Sequence, residues 1–121
     1  MTLNALEKLK VAQHILFQHL SRQIKDSHFS DEHFTVKLIF EYGKRLYIRY
    51  NDYGEYSYQF FLSSQPSDFI RFDNFDDSWA VTTRPHHWHT QDGNVIESPM
   101  NGIPEEDIPI LADKILSFLT K

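Results

Sequence analysis

The segment 84–89, Arg-Pro-His-His-Trp-His, contains three of the chain's seven histidines, namely His86, His87 and His89. Histidine has an unperturbed pKa of about 6.5, so it takes up and releases protons near neutral pH. Two imidazoles can therefore act as general base and general acid. An extended backbone places His87 and His89 on one side, whereas a helical turn makes His86 and His89 neighbours. The sequence leaves both conformations open.

A second polar segment, Arg71-Phe72-Asp73-Asn74, ends a predicted strand. Asp73 is suited to orienting an imidazole, as carboxylates do in nucleophile and metal sites. Asp73 and Asn74 are equally typical of an Asx turn, in which the side chain only bends the backbone. Both interpretations remain open from the sequence.

These residue types together suit metal-independent RNA cleavage, which needs an acid–base pair and a cation that holds the phosphate. Trp88 or Tyr47 would supply an aromatic ring that stacks on a base. The candidate catalytic residues are His86, His87, His89 and Asp73, and the candidate substrate-binding residues are Arg71, Arg84, Asn74 and Trp88.

Two alternatives use the same histidines. The chain has no cysteine, so a metal would need imidazole and carboxylate ligands. Two histidines with Asp73 or Glu97 would suit zinc or another transition ion, although no spacing motif specifies one. The other alternative is a histidine-rich surface loop, in a module that docks a partner without catalysis. We expect no bound cofactor and keep a divalent metal as an alternative.

The elements that must position these residues follow from hydrophobic periodicity. Apolar residues at three- and four-residue spacing predict a helix from about Leu3 to Ile24, capped by Thr2 or Asn4, and a final helix starting at Pro104. Alternating runs predict strands at 34–41, 45–50 and 55–62, with a fourth at 69–73. Short strands are expected at 79–82 and near 94–96.

The connections between these strands are too short for crossover helices, so the strands must be antiparallel. The predicted fold class is therefore α+β, an antiparallel β-sheet meander flanked by an N-terminal and a C-terminal helix. Both helices should cover one face of the sheet. The opposite face would carry Lys37, Arg45, Tyr47, Arg49, Ser57 and Gln59.

The bulk composition bounds the class of protein. A chain of 121 residues with 40% hydrophobic content predicts a single globular domain over residues 1–121. A net charge of −5 lowers the expectation of nonspecific nucleic-acid binding. The first residues do not resemble a secretory signal and no apolar run is long enough for a membrane span, which predicts a cytoplasmic protein.

The ordered set Tyr58, Phe69 to Asn74, Pro85 to His89, Gly93 and Glu97-Ser98 resembles the TumE family of toxins from toxin–antitoxin systems. The resemblance covers roughly Tyr47 to Ser98. One departure is the Phe75-Asp76-Asp77-Ser78-Trp79 run, where family members commonly have a further Pro-His-His.

The resemblance implies a growth-inhibiting toxin component of a type II-like system, with a ribonuclease-type activity on RNA. Its partner would be a cognate antitoxin, usually a helix-turn-helix protein. No membrane partner is expected, and a homodimer is left open.

Overall fold

The computed structural model describes residues 3–119 and contains two helices and seven strands over that range. The helices are α1 (Ala5–Leu20) and α2 (Pro104–Leu119). The strands are β1 (Asp26–Ser30), β2 (Thr35–Ile39), β3 (Arg45–Tyr50), β4 (Tyr56–Phe61), β5 (Phe69–Asp73), β6 (His87–His89) and β7 (Val95–Glu97). The predicted α+β class, with one helix at each end of the meander, is confirmed.

The seven strands form one sheet in sequence order, and each strand pairs antiparallel with the next. The prediction for β3 and β5 agrees with the structure, and β2 and β4 are each shorter at both ends than predicted. The strand expected near 94–96 is β7. The prediction of a strand at 79–82 is wrong, because those residues lie in the irregular connection between β5 and β6.

Helix α1 begins at a capping box, as the sequence suggested for Asn4. The Glu7 amide donates to Asn4 Oδ1 at 2.9 Å, and the Asn4 amide donates to Glu7 Oε1 at 3.0 Å. The helix ends at Leu20, four residues before the predicted end, and the amides of Gln23 and Ile24 in the following turn both donate to the Leu20 carbonyl. The following residues form β1, an edge strand that the sequence analysis missed.

The core lies between the helices and one face of the sheet. Alternate residues of the strands point into it, including Leu46 and Ile48 of β3. Leu9 of α1 and Ile108 and Leu111 of α2 pack on the same side, and all five are fully buried. The prediction that both helices share one sheet face is confirmed, which leaves the other face without a helix.

A buried hydrogen-bond network fastens α2 to the sheet. The Tyr58 hydroxyl donates to Asp107 Oδ2 at 2.7 Å, and the Gly102 amide donates to the same oxygen at 2.7 Å. The Tyr50 and Tyr58 hydroxyls lie 2.8 Å apart. Burial raises the pKa of the Asp107 carboxyl, while the hydrogen bonds it accepts lower it. This role of Asp107 was not predicted from the sequence.

Replacing Tyr58 with Phe should destabilise the protein, because the Asp107 carboxyl and the Tyr50 hydroxyl each lose a buried partner. The expected loss in the free energy of unfolding is about 1–3 kcal/mol, measured by urea denaturation. Tyr53→Phe is the matched control, since the Tyr53 side chain is exposed in a turn. Equal stability of the two variants would contradict the network's role.

Candidate active site

The pairing of β5 with β6 brings two sequence motifs side by side. Arg71 lies opposite His89, and Asp73 lies opposite His87. Each strand contributes residues two positions apart, so all four side chains leave the sheet on the face without helices. Opposed residues in antiparallel strands have Cβ atoms about 4.5–5.5 Å apart. We call Arg71, Asp73, His87 and His89 the Asp73 cluster.

Asp73 is at the centre of this cluster, with its side chain 2% exposed. Its Oδ2 lies 2.6 Å from Arg71 Nε and 3.7 Å from His89 Nε2. Its Oδ1 lies 2.9 Å from His87 Nε2 and accepts a hydrogen bond from the Phe75 amide at 3.1 Å. The carboxylate therefore fixes the arrangement of an arginine and two histidines.

The tautomer of His87 follows from its second neighbour. Its Nδ1 lies 2.9 Å from the Pro85 carbonyl oxygen, which only accepts, so Nδ1 carries a hydrogen. That leaves Nε2 to face Asp73 Oδ1. The ring is almost fully buried, and its contact with the other site residues is through Asp73.

The backbone before His87 is held by Thr83. Its hydroxyl donates to the His86 carbonyl at 2.7 Å and accepts from the Ser98 amide at 3.0 Å. The peptide bond between Arg84 and Pro85 is cis. These contacts tie the start of β6 to the segment that follows β7, and so fix where the histidines enter the sheet.

His89 is the accessible imidazole of the cluster, with its side chain 28% exposed. Burial lowers its pKa below the ordinary value. Asp73 raises the pKa, whereas the charges of His87 and Arg71 lower it further. His89 is therefore mainly neutral at pH 7 and able to accept a proton.

Two aromatic residues from the β5–β6 connection border the cluster. The Trp79 ring centroid lies 5.8 Å from that of His87 and 5.5 Å from that of His89. The Arg71 guanidinium lies 5.9 Å from the centre of the Phe75 ring. The sequence analysis missed both as site residues. The sequence signal that could have identified them is the presence of two large aromatic residues in the run 75–79, which otherwise consists of turn-forming residues.

His86 and Trp88 point to the opposite face of the sheet, towards the helices. His86 Nδ1 lies 2.8 Å from the Tyr56 hydroxyl, and the two rings are stacked with centroids 5.7 Å apart. Trp88 packs against Phe72, and the Lys114 ammonium lies 4.4 Å from its ring centre. The extended conformation thus separates His86 and Trp88 from the Asp73 cluster, and the structure provides a packing role for both.

Asn74 and Arg84 also lie outside the cluster. The Asn74 side chain accepts from the Tyr56 amide at 2.9 Å and donates to the Gly54 carbonyl at 3.0 Å, so it joins the ends of neighbouring strands. Arg84 pairs with Asp77 at 3.0 Å in an exposed contact that raises the pKa of Arg84. Substrate binding by these two residues remains a prediction.

The cluster also has the composition of a metal site. Ligand atoms of Asp73, His87 and His89 all lie within 4.8 Å of one another. The hydrogen bond from His87 Nδ1 to a carbonyl is typical of the second shell of a metal-bound histidine. Arg71 opposes this use, because its guanidinium already occupies the Oδ2 side of the carboxylate. Glu97, the other carboxylate considered, is opposite His87 on β7 and exposed.

The fold and the cluster define a small α+β protein with a histidine–carboxylate–arginine site at one end of an open sheet face. The chain belongs to the Toxin TumE family, which it matches over residues 12–121. The match extends well beyond the region from Tyr47 to Ser98 that carried the resemblance, and the family name describes a toxin. Comparison with curated proteins and with solved structures gave no significant match. No helix within residues 3–119 is both long and apolar enough to cross a membrane.

Titration of His89 tests the electrostatics of the cluster. Its pKa, followed by the ring resonances in NMR, should lie below the value for the same histidine in urea-unfolded protein, because burial disfavours the charged ring. Asp73→Asn should lower the His89 pKa further, since it removes the charge that opposes this shift. A His89 pKa at or above the unfolded value would contradict this account.

Proposed function

We propose that the protein is a metal-independent endoribonuclease toxin that cleaves RNA at the Asp73 cluster. The observation that carries the proposal is the position of one buried carboxylate, Asp73, between an arginine and two histidines on the open sheet face. Membership of the Toxin TumE family supports a toxin, and the geometry of the Asp73 cluster supports acid–base cleavage of RNA. We expect a cytoplasmic protein that a cognate helix-turn-helix antitoxin neutralises.

His89 is the general base in this proposal. Its neutral imidazole accepts the proton of a ribose 2′-hydroxyl, and the 2′-oxygen attacks the adjacent phosphorus. The bond from phosphorus to the 5′-oxygen breaks, the leaving oxygen takes up a proton from solvent water, and a 2′,3′-cyclic phosphate remains. A positioned general base contributes about 100- to 10,000-fold to a rate.

Arg71 is the phosphate-binding group. Its side chain is 34% exposed, so the guanidinium contacts Asp73 on one side and is open to solvent on another. Its Nε is buried and lies 2.6 Å from Asp73 Oδ2, so a phosphate would contact the solvent-facing part of the guanidinium. There the positive charge would stabilise the negative charge that develops during cleavage.

His89→Asn should lower the rate of RNA cleavage by about 100-fold or more, because the amide cannot accept the proton. The measurement is cleavage of a labelled RNA by the purified protein, together with growth of cells that express the variant. We replace His89 alone, because His86 packs on Tyr56 and His87 is buried.

His28→Asn is the matched control. His28 lies on the same sheet face at the far edge strand, where it pairs with Asp26 in an exposed contact. It should retain full cleavage and toxicity. If His89→Asn remains active, or if the two variants lose activity equally while still folded by circular dichroism, the proposed base is wrong.

A metal-dependent hydrolase is the second candidate, and the grouping of the three ligand atoms favours it. Two ligands of a tetrahedral zinc ion are about 3.3 Å apart at bond lengths of about 2.0–2.1 Å. The separations of 2.9 and 3.7 Å from Asp73 to the two histidines bracket that value. Metal analysis of the purified protein separates the candidates. Stoichiometric metal, with activity lost to a chelator and restored by zinc, would replace the first proposal with the second.

A further inference from the structure

The open face of the sheet concentrates positive charge in an acidic protein. The residues that β2 to β5 expose there include Lys37, Arg45, Arg49 and Arg71, and their only carboxylate is Asp73. Four cations against one carboxylate give these four strands a charge of +3 on this face, and Asp26 of β1 and Glu97 of β7 bring the whole face to +1, whereas the whole chain carries −5. The acidic residues are therefore concentrated elsewhere, and this face has the charge that attracts a polyanion.

Aromatic side chains lie between these cations. A hollow of about 330 Å³ on this face is lined by residues that include Tyr47, Arg49, Gln59, Phe61, Arg71 and Phe75. Arg45 stacks on Phe61, with its guanidinium 4.0 Å from the ring centre. Alternating rings and guanidinium groups over a sheet suit a polymer of planar bases joined by phosphates.

The hollow is continuous with the Asp73 cluster through Arg71. The register places Lys37, Tyr47, Gln59, Arg71 and His89 in one row across five strands. Four strand spacings of about 4.8 Å make this row about 19 Å long, which is enough for about five stacked nucleotides. A chain that follows the row would bring a phosphate to Arg71 next to His89.

We propose that this sheet face is the binding surface for single-stranded RNA. Tyr47 and Phe75 stack on unpaired bases, while Arg49 and Arg71 hold the phosphates on the path to His89. Duplex RNA is excluded from these contacts, because its bases are already stacked and paired. The inference rests on the proposed function in taking RNA as the polymer, and it adds the strandedness of the substrate and the surface that binds it.

The binding experiment uses a fluorescein-labelled, 2′-O-methyl RNA of about ten nucleotides, in the range of single-strand site sizes. This probe lacks the attacking hydroxyl, so binding is measured separately from cleavage. Fluorescence anisotropy should show saturable binding to the single strand and much weaker binding to the matching duplex. Equal affinity for both forms would overturn the proposal.

Tyr47→Leu removes a stacking ring and should weaken binding by roughly 5- to 150-fold, the equivalent of about 1–3 kcal/mol. Arg49→Gln should weaken binding and reduce the slope of log Kd against log salt by about one. Neither residue belongs to the Asp73 cluster. The matched controls are Tyr53→Leu in an exposed turn and Lys10→Gln on the exposed side of α1, which should bind as the unmodified protein does.

The outcomes separate this inference from the proposed function. Binding of the uncleavable RNA that depends on Tyr47 and Arg49, without any cleavage of ordinary RNA, would support the surface and reject the ribonuclease. Cleavage whose KM is unchanged by both variants would support the ribonuclease and reject the surface. Binding of a polyglutamate peptide, with no binding of RNA, would also overturn the inference and assign the face to an acidic protein partner.

Discussion

A carboxylate enclosed in the sheet is the interaction on which the site depends. Removing an ionised group from water costs several kcal/mol unless nearby charges and hydrogen bonds compensate. Asp73 has Arg71 on one oxygen and His87 on the other, and the Phe75 amide adds a hydrogen bond. Arg71 and His87 are held in place by their contacts with this carboxylate. The accessible members of the group, Arg71 and His89, therefore present their polar atoms to solvent in a fixed arrangement.

The meander supplies the geometry that makes this compensation possible. Strands that follow one another in sequence are neighbours in the sheet, so motifs 16 residues apart, at Asp73 and His89, become adjacent. Both helices pack on the other face, where His86 and Trp88 contribute to packing. One histidine-rich strand thus divides its residues between the core and the site. Replacing all three histidines together would therefore affect both packing and chemistry.

Much of this arrangement could be predicted from the sequence, because strong periodicity determines the central strands and both helices. The strand predicted at 69–73 implies that Arg71 and Asp73 share a face, although the sequence analysis did not draw that inference. Strand β1 was missed because its five residues include only one large apolar side chain, Phe29, so no alternation was visible. The partition of His86 from His87 and the approach of Trp79 depend on pairing between strands and on the path of a loop. Neither is encoded in local sequence pattern.

The connection between β5 and β6 lies outside the strand pairing that positions the site residues. Its exposed stretch around Asp76, Asp77 and Ser78 has no part in the pairing of Arg71 with His89 or of Asp73 with His87. The ladder hydrogen bonds set the spacing of the reactive groups, so insertions or deletions in that stretch leave the spacing intact. The run 75–79, where the resemblance to the family leads one to expect a further Pro-His-His, includes this exposed stretch.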